Sequence, residues 1–117
     1  MIRFVVLVGL SSLACVQAAS AQQPGYVGRW ANEASWCRNT PGTTDELPVR
    51  FSARGFEGFE IGCRFDRIRG GAGEWDISAT CHAEGMIEKR RITLRREGEA
   101  LVWIERNQET QRMVRCG

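Results

Sequence analysis

The clearest pattern in the chain is in residues 59–83, which read FEIGCRFDRIRGGAGEWDISATCHA. Apolar and polar side chains alternate in two segments of this stretch, Phe59–Phe65 and Glu74–Ala83, and the glycine-rich segment Arg69–Gly73 separates them. A period of two residues is typical of a β-strand with one buried face, and clustered glycines mark a chain reversal. The stretch therefore predicts an antiparallel β-hairpin whose apolar face is turned towards a hydrophobic core.

The same hairpin predicts a disulfide. If the chain reverses at Ala72, Cys63 lies opposite Cys81 on the apolar face. Opposite residues of an antiparallel pair have Cβ atoms about 4.5–5.5 Å apart, close to the separation in a disulfide. We therefore favour Cys63–Cys81, which leaves Cys37–Cys116, while Cys37–Cys63 with Cys81–Cys116 is the main alternative. The same register pairs Phe65 with Ala79 and Ile61 with Ala83.

The rest of the chain also reads as short strands. A second hairpin around Gly98 would place Leu94 opposite Val102 and Ile92 opposite Ile104. The other expected elements are strands at Tyr26–Ala31, Pro48–Ala53 and Met113–Cys116, a loop at Cys37–Glu46 and a turn at Asn107–Gln108. The prediction is an all-β fold, a small antiparallel meander of about seven strands that forms a barrel or a strongly curved sheet, with two disulfides.

Residues 1–21 have the three parts of a secretory signal peptide. Arg3 supplies a positive charge, an apolar run follows it, and small residues precede a cleavage site that we place after Ala21, with Ala18 as the alternative. The apolar run is too short to span a bilayer as a helix, so we expect no stable membrane insertion after cleavage.

Cleavage would leave a single disulfide-stapled β domain, residues 22–117, with four cysteines. An even number of cysteines in a short exported chain favours disulfides and a periplasmic or secreted location. Cys15, which lies within the signal, offers a second interpretation, a lipoprotein. Ser12 stands three residues before it, where lipoprotein signals carry leucine.

Charge excludes one class of partner. The 16 Lys and Arg residues nearly balance the 14 Asp and Glu residues, so the basic excess of a nucleic-acid-binding domain is absent. After the predicted signal peptide, basic residues outnumber acidic ones in the segment 86–117 but not in 22–85, and nearly all are arginines, which bind carboxylates through two parallel hydrogen bonds. A solvated strand face explains this bias most simply, and an acidic partner is the alternative.

Side chains with catalytic potential are few. His82 is the single histidine and falls on the polar face of its strand, and the cysteines lack the Cys-x-x-Cys spacing of metal or redox sites. The serines stand in no nucleophile motif, and the glycine-rich turn lacks the Lys-Ser/Thr of a phosphate-binding loop. We expect no metal, no cofactor and no enzyme activity.

Tryptophan and arginine side chains are the candidate contacts with a partner. Trp36 stands beside the Cys37–Glu46 loop, and Trp103 faces away from its neighbours Val102 and Ile104, so it is either covered by another element or exposed. Exposed tryptophans commonly anchor partners, and burial of both in the core is the alternative. The second set of candidates consists of two arginine pairs: Arg90, Arg91, Arg95 and Arg96.

The segment Gly28-Arg29-Trp30, at the start of the first expected strand, resembles the Gly-x-Trp of lipocalin-like barrels. The resemblance implies a barrel with the tryptophan closing one end. Among small bacterial members, periplasmic inhibitors of secreted metalloproteases share the signal peptide, the Gly-x-Trp, the length and a disulfide. This chain departs from them in its four cysteines, its turn-rich loop and its short segment before the first strand. It is also similar to small exported four-cysteine proteins of Gram-negative bacteria.

These observations predict an exported, periplasmic and non-catalytic module that binds or inhibits another protein of the cell envelope. A lipocalin-like carrier of a small ligand is the alternative, although about eight strands are needed before a barrel encloses even one small ligand. An enzyme is the least favoured class.

Overall fold

The computed structural model of this chain describes residue 9 and residues 22–117. In this part of the chain, eight antiparallel strands form a closed barrel in which each strand pairs with the next and the last pairs with the first. The strands are β1 Gly28–Ala31, β2 Val49–Ser52, β3 Gly55–Gly58, β4 Ile61–Gly71, β5 Glu74–Ala83, β6 Met86–Glu97, β7 Ala100–Ile104 and β8 Gln111–Arg115. A 3₁₀ helix, Ala34–Arg38, follows β1. The predicted signal peptide, with Cys15 and both cleavage sites, lies outside the described residues except for Gly9.

The predicted class is confirmed, because the protein is an all-β antiparallel barrel with two disulfides. The strand that the sequence pattern missed is β3, whose four residues include two glycines. Glycine has a low intrinsic preference for strands, so β3 depends on its pairing with β2 on one side and β4 on the other. Its addition raises the expected seven strands to eight.

Both favoured disulfides form. Cys63–Cys81 joins β4 to β5 directly across the strand pair, with Cα atoms 4.0 Å apart. Cys37–Cys116 joins the 3₁₀ helix to the end of the chain after β8, with Cα atoms 5.3 Å apart. The second bond therefore fastens the irregular segment after β1 to the closing strand of the barrel.

A β-bulge in β4 sets the register of the long hairpin. The reversal is the two-residue turn Ala72–Gly73, in which both φ angles are positive, 53° and 92°, as in the mirror-image turns that suit hairpins. From that turn alone, Cys63 would face His82. One extra residue between Phe65 and Arg67 restores the pairing of Cys63 with Cys81 and the two other pairs predicted with it.

The predicted register of the second hairpin is wrong by one residue. The turn between β6 and β7 has two residues rather than three, so Leu94 pairs with Trp103 instead of Val102. A shift of one residue exchanges the two faces of a strand. As a result, Leu101 and Trp103 point into the barrel, and Ile104 is opposite Thr93 on the outside.

Aromatic side chains fill the interior. They meet mostly edge to face or tilted, for example Tyr26 with Trp75 at 5.0 Å and Phe56 with Trp103 at 4.9 Å between ring centroids. Such pairs add to the stabilisation that comes from burying apolar area. The buried aromatic residues are Tyr26, Trp30, Phe51, Phe56, Phe65, Trp75 and Trp103. Because the interior is packed, the surfaces open to a partner are the outer faces and the loops.

Trp30 lies in the core and is covered by two arginine side chains. Its side chain is fully buried, and its indole N–H donates a hydrogen bond of 2.8 Å to the carbonyl of Tyr26. The guanidinium groups of Arg115 and Arg96 lie 4.4 and 5.2 Å from the ring centroid. A Cβ atom on Gly28 would lie 2.8 Å from the Arg115 guanidinium, so glycine leaves room for this stacking.

Candidate functional site

The two candidate tryptophans occupy different environments. Trp36 is half-buried within the 3₁₀ helix, where its carbonyl accepts a hydrogen bond from the amide of Asn39. Trp103 is only 7% exposed, packs against Phe56 and Phe51, and therefore is no surface contact. The corrected register of β7 explains its burial, because it turns Trp103 rather than Val102 towards the core.

Arg90 also lies inside the barrel rather than on its surface. Its side chain is 15% exposed and forms a two-bond ion pair with Glu105, whose side chain is 8% exposed. Glu105 accepts a third hydrogen bond, 2.8 Å long, from the indole N–H of Trp103. The guanidinium carbon lies 5.9 Å from the centroid of that indole ring. These contacts give Arg90 a structural role inside the barrel.

Arg95 and Arg96 are engaged as well. Arg96 stacks on Trp30 and donates hydrogen bonds to the carbonyls of Gly25 and Gly98, at 2.8 and 2.9 Å. Arg95 points outwards and lies within 4.0 Å of two carboxylates, those of Glu74 and Glu97. Of the four predicted arginines, only Arg91 is exposed and outside the ion pairs of the described residues.

Arg91 lies in an open groove of about 640 Å³ on the outer face of β4–β7. We call it the arginine groove. Its outward side chains come from these four strands and the residues after β7: Arg67, Arg69, Asp76, Ser78, Arg91, Thr93, Ile104 and Arg106. Four arginines and one aspartate give the groove a formal charge of +3.

The bulge in β4 turns Arg67 and Arg69 towards this groove. Strict alternation from Phe65 would point both arginines into the core, but the extra residue reverses the faces. Arg67 then pairs with Ser78, and Ser78 pairs with Arg91 on the next strand. Neighbouring strands are about 4.8 Å apart, so the Cα atoms of Arg67 and Arg91 are separated by roughly 10 Å.

None of the four groove arginines forms an ion pair with another described residue. The single acid of the groove, Asp76, accepts a hydrogen bond of 2.9 Å from Thr93. Exposed guanidinium groups without carboxylate partners attract anions, because they carry fixed positive charge and rigid donor geometry. The groove can therefore bind a negatively charged group from another molecule.

The network beside the groove contains its own carboxylate. Asp66, the extra residue of the bulge, accepts hydrogen bonds from Thr80 at 2.5 Å and from Arg64 at 3.1 Å, and Lys89 lies 3.5 Å away. The Thr80 hydroxyl, followed by Arg64 and Lys89, holds the pKa of Asp66 below its ordinary value, against the opposing effect of burial. This acid is therefore ionised at neutral pH.

An apolar patch lies at the β5–β6 turn. Met86 and Ile87 are 72% and 69% exposed, and Phe59, in the β3–β4 turn, is 47% exposed. Exposed apolar side chains that adjoin one another, as Met86 and Ile87 do in sequence, are common at interaction sites. Ile87 lies on the outer face of β6, four residues before Arg91, so apolar and basic side chains follow one another along the same strand.

The Cys37–Glu46 loop is held by local hydrogen bonds. The Asn39 amide donates to the carbonyl of Glu46 at 2.8 Å, and the Arg29 guanidinium donates to the carbonyl of Cys37 at 3.2 Å. A second groove, of about 310 Å³, separates the loop from β1–β3 and contains both charge signs, Arg29 and Arg50 with Glu57. Its mixed charge makes it a less distinctive site than the arginine groove.

The single histidine of the chain is not among the residues that line the arginine groove. His82 is exposed on the outer face of β5, opposite Gly62 and Ile87. Among the described residues, no group of three or more histidine, cysteine, aspartate or glutamate side chains is arranged to hold a metal ion.

Similarity to known proteins provides no further guide. The chain matches no family model, no curated protein and no solved structure, so the resemblance to lipocalin-like barrels stays a prediction.

The two disulfides indicate an oxidising, extracytoplasmic environment. No helix in the described part of the chain is both long and apolar enough to span a membrane.

Proposed function

We propose that this protein is an exported, non-catalytic module of the periplasm that binds an acidic segment of a partner protein through the arginine groove. One observation carries the proposal: four exposed arginines line one open groove, and none of them is in an ion pair among the described residues. The predicted signal peptide and the two disulfides support the compartment.

The surroundings of the groove favour a protein as the partner. The exposed Met86 and Ile87 lie on the same strand as Arg91, and Ile87 is about 13 Å from it along the strand, so a partner that extends beyond the groove can also bury apolar area. Apolar anchors surrounded by polar contacts are typical of protein interfaces. A nucleic acid fits less well, because the chain as a whole has a formal charge of only +2.

The packed interior argues against the carrier alternative. Fifteen buried side chains, seven of them aromatic, form one core cluster inside the barrel. A carrier needs an internal cavity of several hundred Å³ for a small ligand. The groove that has such a volume lies on the outer face and is charged, so it suits a surface contact.

The test is capture of a partner by residues 22–117 immobilised with both disulfides intact. The test variant combines Arg67→Gln and Arg91→Gln, and the control combines Arg38→Gln and Arg54→Gln, which remove the same charge from two exposed residues outside the groove. We expect the native protein and the control to enrich the same partner from an extract of the native cell envelope.

The groove variant should lose at least nine-tenths of that capture. Capture should also weaken between 50 and 300 mM salt, because ions screen contacts between exposed charges. Equal capture by the two double variants would contradict the proposal, and so would the absence of any protein enriched over the bare support.

A further inference from the structure

Two rows of side chains cross β4, β5 and β6 on the outer face, and both have the order cation, hydroxyl, cation. The Thr80 row consists of Arg64, Thr80 and Lys89, which are paired residues on three neighbouring strands. The Ser78 row consists of Arg67, Ser78 and Arg91, also paired on these strands. Each row places a hydroxyl side chain on β5 between a cation on β4 and a cation on β6.

The Thr80 row shows how such an arrangement binds a carboxylate. The Asp66 carboxylate accepts hydrogen bonds from the Thr80 hydroxyl at 2.5 Å and from Arg64 at 3.1 Å. Lys89 donates to the Thr80 oxygen at 2.6 Å and lies 3.5 Å from the carboxylate. Both cations and the hydroxyl therefore converge on one acid, which the chain itself supplies from the bulge.

The Ser78 row has the donors without the acid. Among the described residues, Arg67 and Arg91 form no ion pair, and the Ser78 hydroxyl has no hydrogen-bond partner. Asp66 satisfies the Thr80 row only, and Asp76 is bonded to Thr93. All three members of the row line the arginine groove, and Ser78 is half-buried at its centre.

We infer that the Ser78 row is a seat for the carboxylate of an aspartate or glutamate side chain of the partner protein. In the seat, the carboxylate accepts a hydrogen bond from Ser78 and lies between the guanidinium groups of Arg67 and Arg91. Arg106, which follows β7, also lines the groove. This assignment rests on the proposed function, and it specifies the group that the partner contributes.

The choice of a carboxylate follows from the neighbouring row. The same three strands, with the same order of cation, hydroxyl and cation, already hold a carboxylate one row away. Charge-assisted hydrogen bonds of this kind are about twice as strong as neutral ones, and arginine can offer two donors at once. A planar carboxylate matches that donor geometry.

The experiment is an NMR titration of isotope-labelled residues 22–117 with an acetylated and amidated hexaglutamate peptide. A hexaglutamine peptide and inorganic phosphate serve as comparison ligands. We expect the glutamate peptide to shift the amide signals of Ser78, Arg67 and Arg91, and the glutamine peptide to leave them unchanged. The Ser78→Ala variant should bind the glutamate peptide about tenfold more weakly, the usual effect of losing a hydrogen bond to a charged group.

A second variant supplies the missing acid. Ser78→Asp places a carboxylate between Arg67 and Arg91, so it should abolish binding of the glutamate peptide and raise the thermal midpoint by about 3 °C. Ser78→Asn is the matched neutral control and should not raise the midpoint. Because Ser78 is exposed in part and lies outside the core cluster, neither variant should prevent folding.

The outcomes distinguish failure of the carboxylate assignment from failure of the proposed function. If Ser78→Ala and Ser78→Asp bind the glutamate peptide as the native protein does, the seat is wrong, and the groove is judged by the capture experiment alone. If phosphate shifts the same signals as strongly as the peptide, the site is a general anion site and the carboxylate assignment is overturned. Loss of partner capture in Ser78→Asp, with capture retained in Ser78→Asn, would support both proposals.

Discussion

Arg90 and Arg91 are neighbours in the sequence, yet we expect their replacement by glutamine to have opposite effects. Arg90 lies on the inner side of β6 in the ion pair with Glu105, where the two side chains are 15% and 8% exposed. Arg91 lies on the outer side, in the arginine groove. Arg90→Gln should therefore lower the stability of the barrel, and Arg91→Gln should weaken binding instead.

The size of each effect follows from burial. Removal of one partner from a buried ion pair leaves an uncompensated charge and costs about 3 kcal/mol of unfolding free energy or more. With a urea dependence near 1.5 kcal/mol/M for a domain of this size, the unfolding midpoint of Arg90→Gln should fall by about 2 M. Arg91→Gln removes an exposed charge and should change the stability by less than about 0.5 kcal/mol.

Urea unfolding followed by tryptophan fluorescence measures the first effect, and titration with the glutamate peptide measures the second. The double variant with Glu105→Gln tests the ion pair itself. Its loss of stability should be smaller than the sum of the two single losses, by about 1–3 kcal/mol. An unchanged urea midpoint in Arg90→Gln, or unchanged peptide binding in Arg91→Gln, would refute the assignment of these two faces.

Two further predictions concern stability. The Cys37–Cys116 bond closes a loop of 79 residues, and Cys63–Cys81 closes one of 18. Replacing both cysteines of a bond by alanine should lower the free energy of unfolding by about 4.5 kcal/mol for the first bond and about 3 kcal/mol for the second, measured by denaturant titration. A larger loss for the shorter loop would contradict the loop-entropy argument. Burial raises the pKa of Tyr26 above its ordinary value of 10.0, so the folded state keeps a proton that the unfolded state loses and stability should fall as the pH rises past 10. Tyr26 is the single tyrosine of the chain, so tyrosinate absorbance reports its titration directly, and an ordinary midpoint in the folded protein would contradict this prediction.

The first disulfide shows how far a local pattern can predict a fold. Alternation on both strands paired Cys63 with Cys81 correctly, because a register that buries apolar residues on both strands has few alternatives. The reversal assumed at Ala72 is instead a two-residue turn, and the bulge in β4 compensates for the difference. The second hairpin had no cysteine pair to define its register. There the length of the turn decided the pairing of Leu94 with Trp103, and the expected three-residue turn was wrong.

The candidate site was predicted only in part. Arg91 was among the expected contacts, but Arg67, Ser78 and Arg106 were missed. The signal that could have found them is the break in alternation after Phe65, where Asp66 and Arg67 are both polar and therefore indicate a bulge. Arg106 lies two residues after the end of β7, and no periodic pattern includes it.

The amino-acid pattern was enough to predict the class of fold and to favour the two disulfides, because these depend on the two-residue period of a strand and on a short hairpin. Only the folded barrel shows which face of β6 and β7 points inwards and which arginines share the outer groove. Closure of the barrel turned Trp103 and Arg90 into the interior, and one bulge residue brought Arg67 beside Ser78 and Arg91. Both outcomes depend on exact register, which the turn length and the bulge set and which alternation alone does not define.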